Sequence, residues 1–139
     1  MIDNPRVIAA PHDFRSAKNS SGATIAKGRV VKLKTTGTDD VILPTAIGDA
    51  VFGVVTADIP DGAVGTVQVR GRALVLIGTG GVTAGDKLTH DTGGFGRVST
   101  AAPAAGTNNA LVGLATRTEA TAGTLSECEL CGPGVFFQG

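Results

Sequence analysis

Aromatic side chains and excess charge are what this sequence has least of. Its 139 residues include no Trp, no Tyr and five Phe, and 12 Lys plus Arg balance 12 Asp plus Glu, so the formal net charge is zero. Nucleic-acid surfaces need clustered positive charge, and platforms for bases or sugars need several exposed rings. The composition therefore argues against nucleic acid or an anionic membrane surface as the partner.

Cysteine and long apolar runs are also scarce. Two cysteines, Cys128 and Cys131, are too few for a disulfide framework and are typical of a reducing compartment. No uncharged apolar run approaches the ~20 residues of a membrane-spanning helix. The N-terminal residues lack the basic start and apolar centre of a signal peptide, so we expect neither a membrane segment nor a secretion signal.

Glycine, by contrast, is abundant, with 21 residues, while charged residues make up only 17% of the chain. An ordinary soluble domain has about 25% charged residues. A surface so poor in charge does little to prevent association. The composition therefore favours a protein whose surface is largely covered by a partner or by other copies of itself.

Short stretches of alternating apolar and polar residues follow one another after residue 27. Val31 and Leu33 fall on one face and Lys32 and Lys34 on the other, which is the period of two of a half-buried strand. Turns such as Pro60-Asp61-Gly62 separate the stretches, and no helical period is sustained. This pattern predicts an all-β domain, a compact sandwich or barrel.

Composition divides the chain into an N-terminal arm (residues 1–27), a β domain (28–131) and a C-terminal tail (132–139). The arm lacks periodicity but carries apolar side chains, so it is either an arm lying along another surface or a disordered terminus. The tail is either a second adhesive arm or, because it ends in Phe-Gln-Gly, the remainder of a protease-cleavage sequence. The apolar residues of these segments that we expect to contact a partner surface or another subunit are Ile2, Pro5, Val7, Ile8, Phe14, Phe136 and Phe137.

The stretch from Thr66 to Ile77 changes character along its length. Its odd positions are apolar or small throughout, whereas its even positions begin polar and end with Leu74 and Leu76. Gly71 is placed to bend or bulge the strand between the two parts. We expect Leu74 and Leu76 to need cover from elsewhere in the chain or from another subunit, which makes them candidate contact residues.

The candidates for chemistry all have simpler structural interpretations. Cys128 and Cys131 form one Cys-x-x-Cys pair, but no second pair completes a zinc site, and His12 and His90 stand alone. A metal shared across a symmetric oligomer is the alternative that this leaves. The Gly-rich segment 78–81 lacks the Lys-Ser/Thr of a phosphate-binding loop, and no nucleophile lies in a Gly-x-Ser-x-Gly elbow. We expect no catalytic residue, no metal and no cofactor.

Several motifs, in order, resemble the capsid decoration proteins, or cement proteins, of tailed bacteriophages. They cover about three-quarters of the chain, and each motif alone is common. The similar segments are Gly28-Arg29-Val30-Val31-Lys32-Leu33, Val51-Phe52-Gly53-Val54-Val55, Val67-Gln68-Val69-Arg70-Gly71-Arg72-Ala73, Val82-Thr83-Ala84-Gly85-Asp86-Lys87-Leu88, Leu111-Val112-Gly113-Leu114-Ala115 and Ala122-Gly123-Thr124-Leu125.

The resemblance implies a β-tulip-like domain in a virion protein without enzymatic activity. Such proteins bind the outside of the capsid, often as trimers at three-fold or quasi-three-fold positions, so the implied partners are the major capsid protein of a tailed phage and further copies of this chain. The location would be the capsid exterior, after synthesis in the cytoplasm of the host bacterium. The competing classes are a small β ligand-binding or hydrolase domain, which would show a deep pocket with converging polar groups, and a phage tail or fibre domain.

Overall fold

The computed structural model describes residues 13–91 and 96–139, so the candidate contact residues Ile2, Pro5, Val7 and Ile8 lie outside the described residues. The described chain forms strands and no helix, which confirms the predicted all-β class. Accordingly, no helix in these two ranges could cross a membrane. The strands are β1 (Asp13–Asn19), β2 (Val30–Leu33), β3 (Asp40–Ile42), β4 (Gly53–Val55), β5 (Val64–Leu76), β6 (Lys87–Asp91), β7 (Arg97–Thr100), β8 (Asn108–Ala110), β9 (Gly113–Ala115), β10 (Leu125–Leu130) and β11 (Phe136–Gln138).

Five strands close into a ring in the order β1-β3-β2-β4-β5. The ring closes because β1 also pairs with β5, antiparallel, with Phe14 opposite Gln68 and Lys18 opposite Val64. Its interior is filled by buried, mostly β-branched side chains, as expected for strands packed around a small core. These are Ala17, Ile25, Val31, Val41, Val55, Ile59, Val67 and Val69.

A second ring continues from the same long strand in the order β5-β10-β9-β6-β7. It closes through a parallel bridge between Ile77, just beyond β5, and Val98 of β7. β5 changes partners at Gly71: β1 pairs with it as far as Arg70, and β10 pairs with it from Gly71 onward. One strand of 13 residues therefore belongs to both rings.

The two rings are repeats of one structural unit. In the first repeat (residues 13–70) the Asn19 amide donates to Ala63 O, and in the second (71–130) the Ile77 amide donates to Thr124 O, at 2.9 and 2.8 Å. Further matched pairs follow in the same order along both repeats. The bond from Gly62 N to Asn19 O in the first repeat matches that from Gly123 N to Ile77 O in the second, and the backbone pair of Ile25 and Ile59 matches the pair of Val82 and Glu119. The bond from Gly28 N to Val55 O matches that from Gly85 N to Ala115 O. The side-chain bond from Thr56 Oγ1 to Thr66 O matches that from Thr116 Oγ1 to Glu127 O.

The two end segments differ from the division drawn from composition. Residues 13–27 were expected to be part of an arm, but β1 closes the first ring and Ile25 is fully buried in its core. β1 was missed because it buries only two side chains, Ala17 and Asn19, so it has little apolar alternation. In the expected tail, β11 pairs with β8, antiparallel. Residues 1–12 are the part for which an arm remains a prediction.

Candidate subunit and capsid contact surfaces

Leu74 and Leu76 lie on the outer face of β5 in the second repeat. Leu76 is paired across the sheet with Leu125 of β10, and Leu74 with Glu127, so their side chains share one face. Leu74 is 41% exposed and Leu125 39%, while Leu76 is partly buried. The chain therefore leaves an apolar row on a sheet surface, at the two positions that the sequence singles out.

Charged side chains of both signs border this apolar row. Arg72 lies 3.6 Å from Glu127 and 3.9 Å from Glu129, and Arg117 lies 3.3 Å from Glu127. Exposed ion pairs of this kind contribute little to stability, typically below about 1 kcal/mol each. Their effect is to leave a surface without net charge, which we call the β5–β10 patch; its members are Arg72, Leu74, Leu76, Arg117, Leu125, Glu127 and Glu129.

Leu74 stands between two grooves. Each groove has a volume of about 270 Å³, and Leu74 is the residue that lines both. The first groove runs between the two repeats, from Lys27 and Thr56 to Arg72, and the second runs along Arg117 and Glu127. Leu74 therefore forms part of the wall of both grooves on the exposed face of β5.

The other described candidate residues lie elsewhere. Phe14 of β1 is 49% exposed on the first repeat, opposite Gln68. Phe136 of β11 is 44% exposed, and Phe137 is partly covered by Lys87, whose Nζ lies 5.0 Å from the ring centre. The five described candidates therefore fall in three places and do not form one continuous surface.

Sequence reasoning missed several exposed apolar side chains. Val64, at 69%, is the most exposed of the large ones, and Leu114 is 45% exposed on β9. Leu33, Ile47 and Leu125 are also exposed, at 48%, 40% and 39%. Alternation places such residues on strands but does not tell which face another element covers. The structural repeat does carry that information, because it shows which equivalent positions are covered in the other ring.

The Cys-x-x-Cys pair is embedded in the fold. Cys128 is completely buried, and burial raises the pKa of its thiol to about 12. Burial also raises the pKa of the Cys131 thiol, whose Sγ lies 3.3 Å from Leu111 O. Both thiols therefore remain protonated at neutral pH, and burial makes the reactive thiolate of a redox nucleophile harder to form. Within residues 13–91 and 96–139, no three His, Cys, Asp or Glu side chains are grouped as metal ligands would be.

A third groove holds Asp49, an acid whose hydrogen bonds are already made. It has a volume of about 400 Å³, and its lining includes Lys32, Asp49 and Phe52. Burial raises the pKa of Asp49, but hydrogen bonds from the Thr45 amide, Lys32 Nζ and the Ala46 amide outweigh it and hold that pKa well below its usual range. These contacts fasten the loop between β3 and β4, and they leave Asp49 a poor general acid or base.

His90 lies just behind this groove. Its side chain is 1% exposed, and its Nε2 is 3.2 Å from Asp49 O. Desolvation lowers the pKa of His90 because the charged imidazolium would be buried. A neutral, buried histidine fastened to a loop carbonyl has a structural role, and it does not reach a substrate in solvent.

Taken together, two fused β rings with exposed apolar strand faces define a protein that acts through its surfaces. The family model described as phage cement protein matches residues 11–130, and the chain belongs to that family. It is thus a structural protein of a phage virion. The expected resemblance to cement proteins is confirmed.

A solved structure supports the fold independently. The crystal structure of the head fiber gp8.5 N base of bacteriophage phi29 superposes with a TM-score of 0.63 at 16% sequence identity, over 89% of this chain and 98% of that one. A likeness at this level of identity concerns the fold alone. A comparison with curated protein sequences finds no match.

Proposed function

We propose that the protein binds the outer surface of a phage capsid, as a homotrimer at three-fold or quasi-three-fold positions, and stabilises the mature shell. The major capsid protein is the partner, and the chain carries out no catalytic step of its own. The observation that carries the proposal is the exposed row of Leu74, Leu76 and Leu125 on the outer sheet of a cement-family protein.

The surface chemistry supports adhesion to a protein lattice. The β5–β10 patch offers apolar side chains at its centre and balanced charges at its edge, as many protein interfaces do. A protein that binds the assembled lattice and not its dissociated subunits stabilises the lattice by mass action. Stabilisation of the shell therefore follows from binding alone and needs no reaction.

The proposal is tested by sedimenting the protein with purified mature heads of the phage that encodes it. The wild-type chain should sediment with the heads, and Leu74→Asp should lose most of that binding because it places a charge on the ridge between the two grooves. Because Leu74 is already exposed, the variant should keep its fold, which far-ultraviolet circular dichroism checks. Heads carrying the wild-type protein should also release their DNA at a higher temperature than bare heads.

Leu33→Asp is the matched control. Leu33 is as exposed as Leu74 but lies at the end of β2 in the first repeat, so this variant should bind heads like the wild type. Equal binding by wild type and Leu74→Asp would remove the β5–β10 patch from the proposal. A folded wild-type chain that never sediments with heads would overturn the proposal as a whole.

A further inference from the structure

We propose that neighbouring copies of this chain contact each other through the same surfaces that join the two repeats within one chain. The turn at Gly85 in the second repeat of one copy would lie against the Lys18–Val64 pair in the first repeat of the next. This inference rests on the proposed homotrimer and names the surfaces that form it.

The junction inside the chain is formed by the turn at Gly28. Gly28 O accepts a hydrogen bond from the Leu76 amide at 2.9 Å, and a Cβ on Gly28 would collide with the Leu125 side chain. Val54, which follows in β4, is 1% exposed and belongs to the core cluster of the second repeat. The first repeat thus places its Gly28 turn against Leu76 and Leu125 and contributes Val54 to the core of the second repeat.

The second repeat presents the same turn with open space at its glycine. Gly85 is the counterpart of Gly28, yet a Cβ placed on it would meet no atom of residues 13–91 or 96–139 within 4 Å. Leu114 is the counterpart of Val54, and it is 45% exposed where Val54 is 1% exposed. A surface that is covered in one repeat is therefore open in the other.

The receiving surface is open on the first repeat. Lys18 and Val64 are paired across β1 and β5 as Leu76 and Leu125 are paired across β5 and β10. Val64 is 69% exposed, whereas its counterpart Leu125 is 39% exposed. Each chain therefore carries one unused turn and one unused receiving surface, at opposite ends of the pair of repeats.

The charges on the two open surfaces are complementary. The turn carries Asp86, whose carboxylate is fixed by the Thr83 amide at 2.9 Å and Thr100 Oγ1 at 2.8 Å, and the receiving surface carries Lys18. At the junction inside the chain, Arg29 is the counterpart of Asp86, and Leu76 is the counterpart of Lys18. The permanent junction thus has the uncharged Leu76 where the open one has Lys18, so only the open junction adds an attractive charge pair between these two positions, as suits an interface between separate chains.

One difference limits how the copies can meet. The Leu76 amide donates to the Gly28 turn, but the Lys18 amide already donates to Asp39 O at 3.0 Å within its own repeat. A neighbouring copy would therefore dock through side chains, without inserting its backbone. Because the two surfaces differ, the contact is heterologous, and such contacts form closed rings when the rotation between copies permits. The proposed trimer is a ring closed after three copies.

Charge exchange tests the contact. Lys18→Glu would face Asp86 and Ala84→Lys would face Lys18, so each single variant should associate about tenfold more weakly or worse. The double variant, Lys18→Glu with Ala84→Lys, gives the introduced glutamate an attractive partner beside Asp86, which stays in place, and should recover part of the association. Sedimentation velocity measures the masses, and circular dichroism shows whether the variants are folded. Wild-type association by both single variants, or no recovery in the double variant, would overturn the proposal.

Cross-linking gives an independent readout. Val64→Cys combined with Ala84→Cys should give covalent trimers on oxidation, whether free at high concentration or bound to heads. Val64→Cys with Ala104→Cys is the control, since Ala104 is exposed in a loop beside the C-terminal Gly139 and should give no such product. If the test pair yields no more cross-linked chain than the control, the contact is wrong, and binding of the same chains to heads shows separately whether capsid binding holds.

Discussion

Gly28 and Gly85 occupy the same position in the two repeats, but of these two only Gly28 lies closely against the other repeat in the part of the chain that the structure describes. Both have positive φ, 87° for Gly28 and 93° for Gly85. The Gly28 amide donates to Val55 O in β4, and the Gly85 amide donates to Ala115 O in β9. The same turn therefore has two roles. In the first repeat it joins the rings, and in the second it is left for a neighbour in the contact proposed above.

Replacing each of these glycines with alanine should separate the two roles. Gly85→Ala should cost about 1 kcal/mol, because a side chain at positive φ is strained but meets open space. Gly28→Ala carries the same strain and also collides with Leu125, which should add about 1–3 kcal/mol. Urea denaturation of both variants measures the difference. Equal losses of stability would mean that Gly28 is not a tight junction.

The strands can be predicted from the sequence, but the closing of these strands into two rings cannot. The change of character before Leu74 corresponds to strand faces in the structure, whereas the alternation at Val31 and Leu33 does so only in part, because Val31 is buried and Leu33 is 48% exposed. The repeat went unrecognised because the two halves share few side chains. What they share is backbone geometry, such as positive φ at Gly71 and Gly132, and this geometry leaves only scattered glycines in the sequence.

The same limit applies to the contact surfaces. Leu74 was predicted from one strand, because an apolar residue on a polar face is visible locally. Val64 and Leu114 were missed, because their importance depends on what covers the equivalent residues, Leu125 and Val54, in the other repeat. That relationship is a property of the folded chain and is carried by no local pattern.

Truncation from the N-terminus should have two distinct stages. Removing residues 1–12 should leave the rings folded and weaken binding to heads, if Ile2, Pro5, Val7 and Ile8 contact the capsid or a neighbour as the sequence predicts. Removing residues 1–19 should prevent folding, because β1 closes the first ring against β5 and buries Ala17. Circular dichroism and sedimentation with heads distinguish the stages. Full head binding by the shorter truncation would refute a contact role for the arm.

Asn19 should be one of the most sensitive positions in the first repeat. It is completely buried, its Nδ2 donates to Ala23 O and Ile59 O at 2.7 Å each, and its Oδ1 accepts from the Ser21 amide at 2.9 Å. Asn19→Leu would remove all three of these hydrogen bonds and should cost about 1–3 kcal/mol; Ile59 O keeps the Ile25 amide and Ala23 O keeps Ser21 Oγ, but the Ser21 amide loses its partner. Ser16→Ala, on the exposed face of the same strand, is the control and should change the unfolding midpoint little.

Stability should fall on mild acidification because of His90. Desolvation lowers the pKa of His90 in the folded protein, so the unfolded chain binds a proton more readily. The stabilising effect of neutral His90 is therefore complete above its unfolded pKa of about 6.5 and is lost as the pH falls towards the lowered folded value, by up to about 1.4 kcal/mol per pH unit. Thermal melts between pH 7.5 and pH 5 should show a falling midpoint.

A variant without the imidazole separates His90 from other titrating groups. His90→Gln keeps a polar side chain that can donate to Asp49 O but cannot be charged, so its melting midpoint should stay nearly constant from pH 7.5 to pH 5. His12 is present in both proteins and cancels in the comparison. Asp49, whose pKa is also lowered, acts in another window: its stabilising effect is complete above about pH 4 and is lost only in stronger acid. An equal fall in both proteins above pH 5 would place the responsible group elsewhere than at His90.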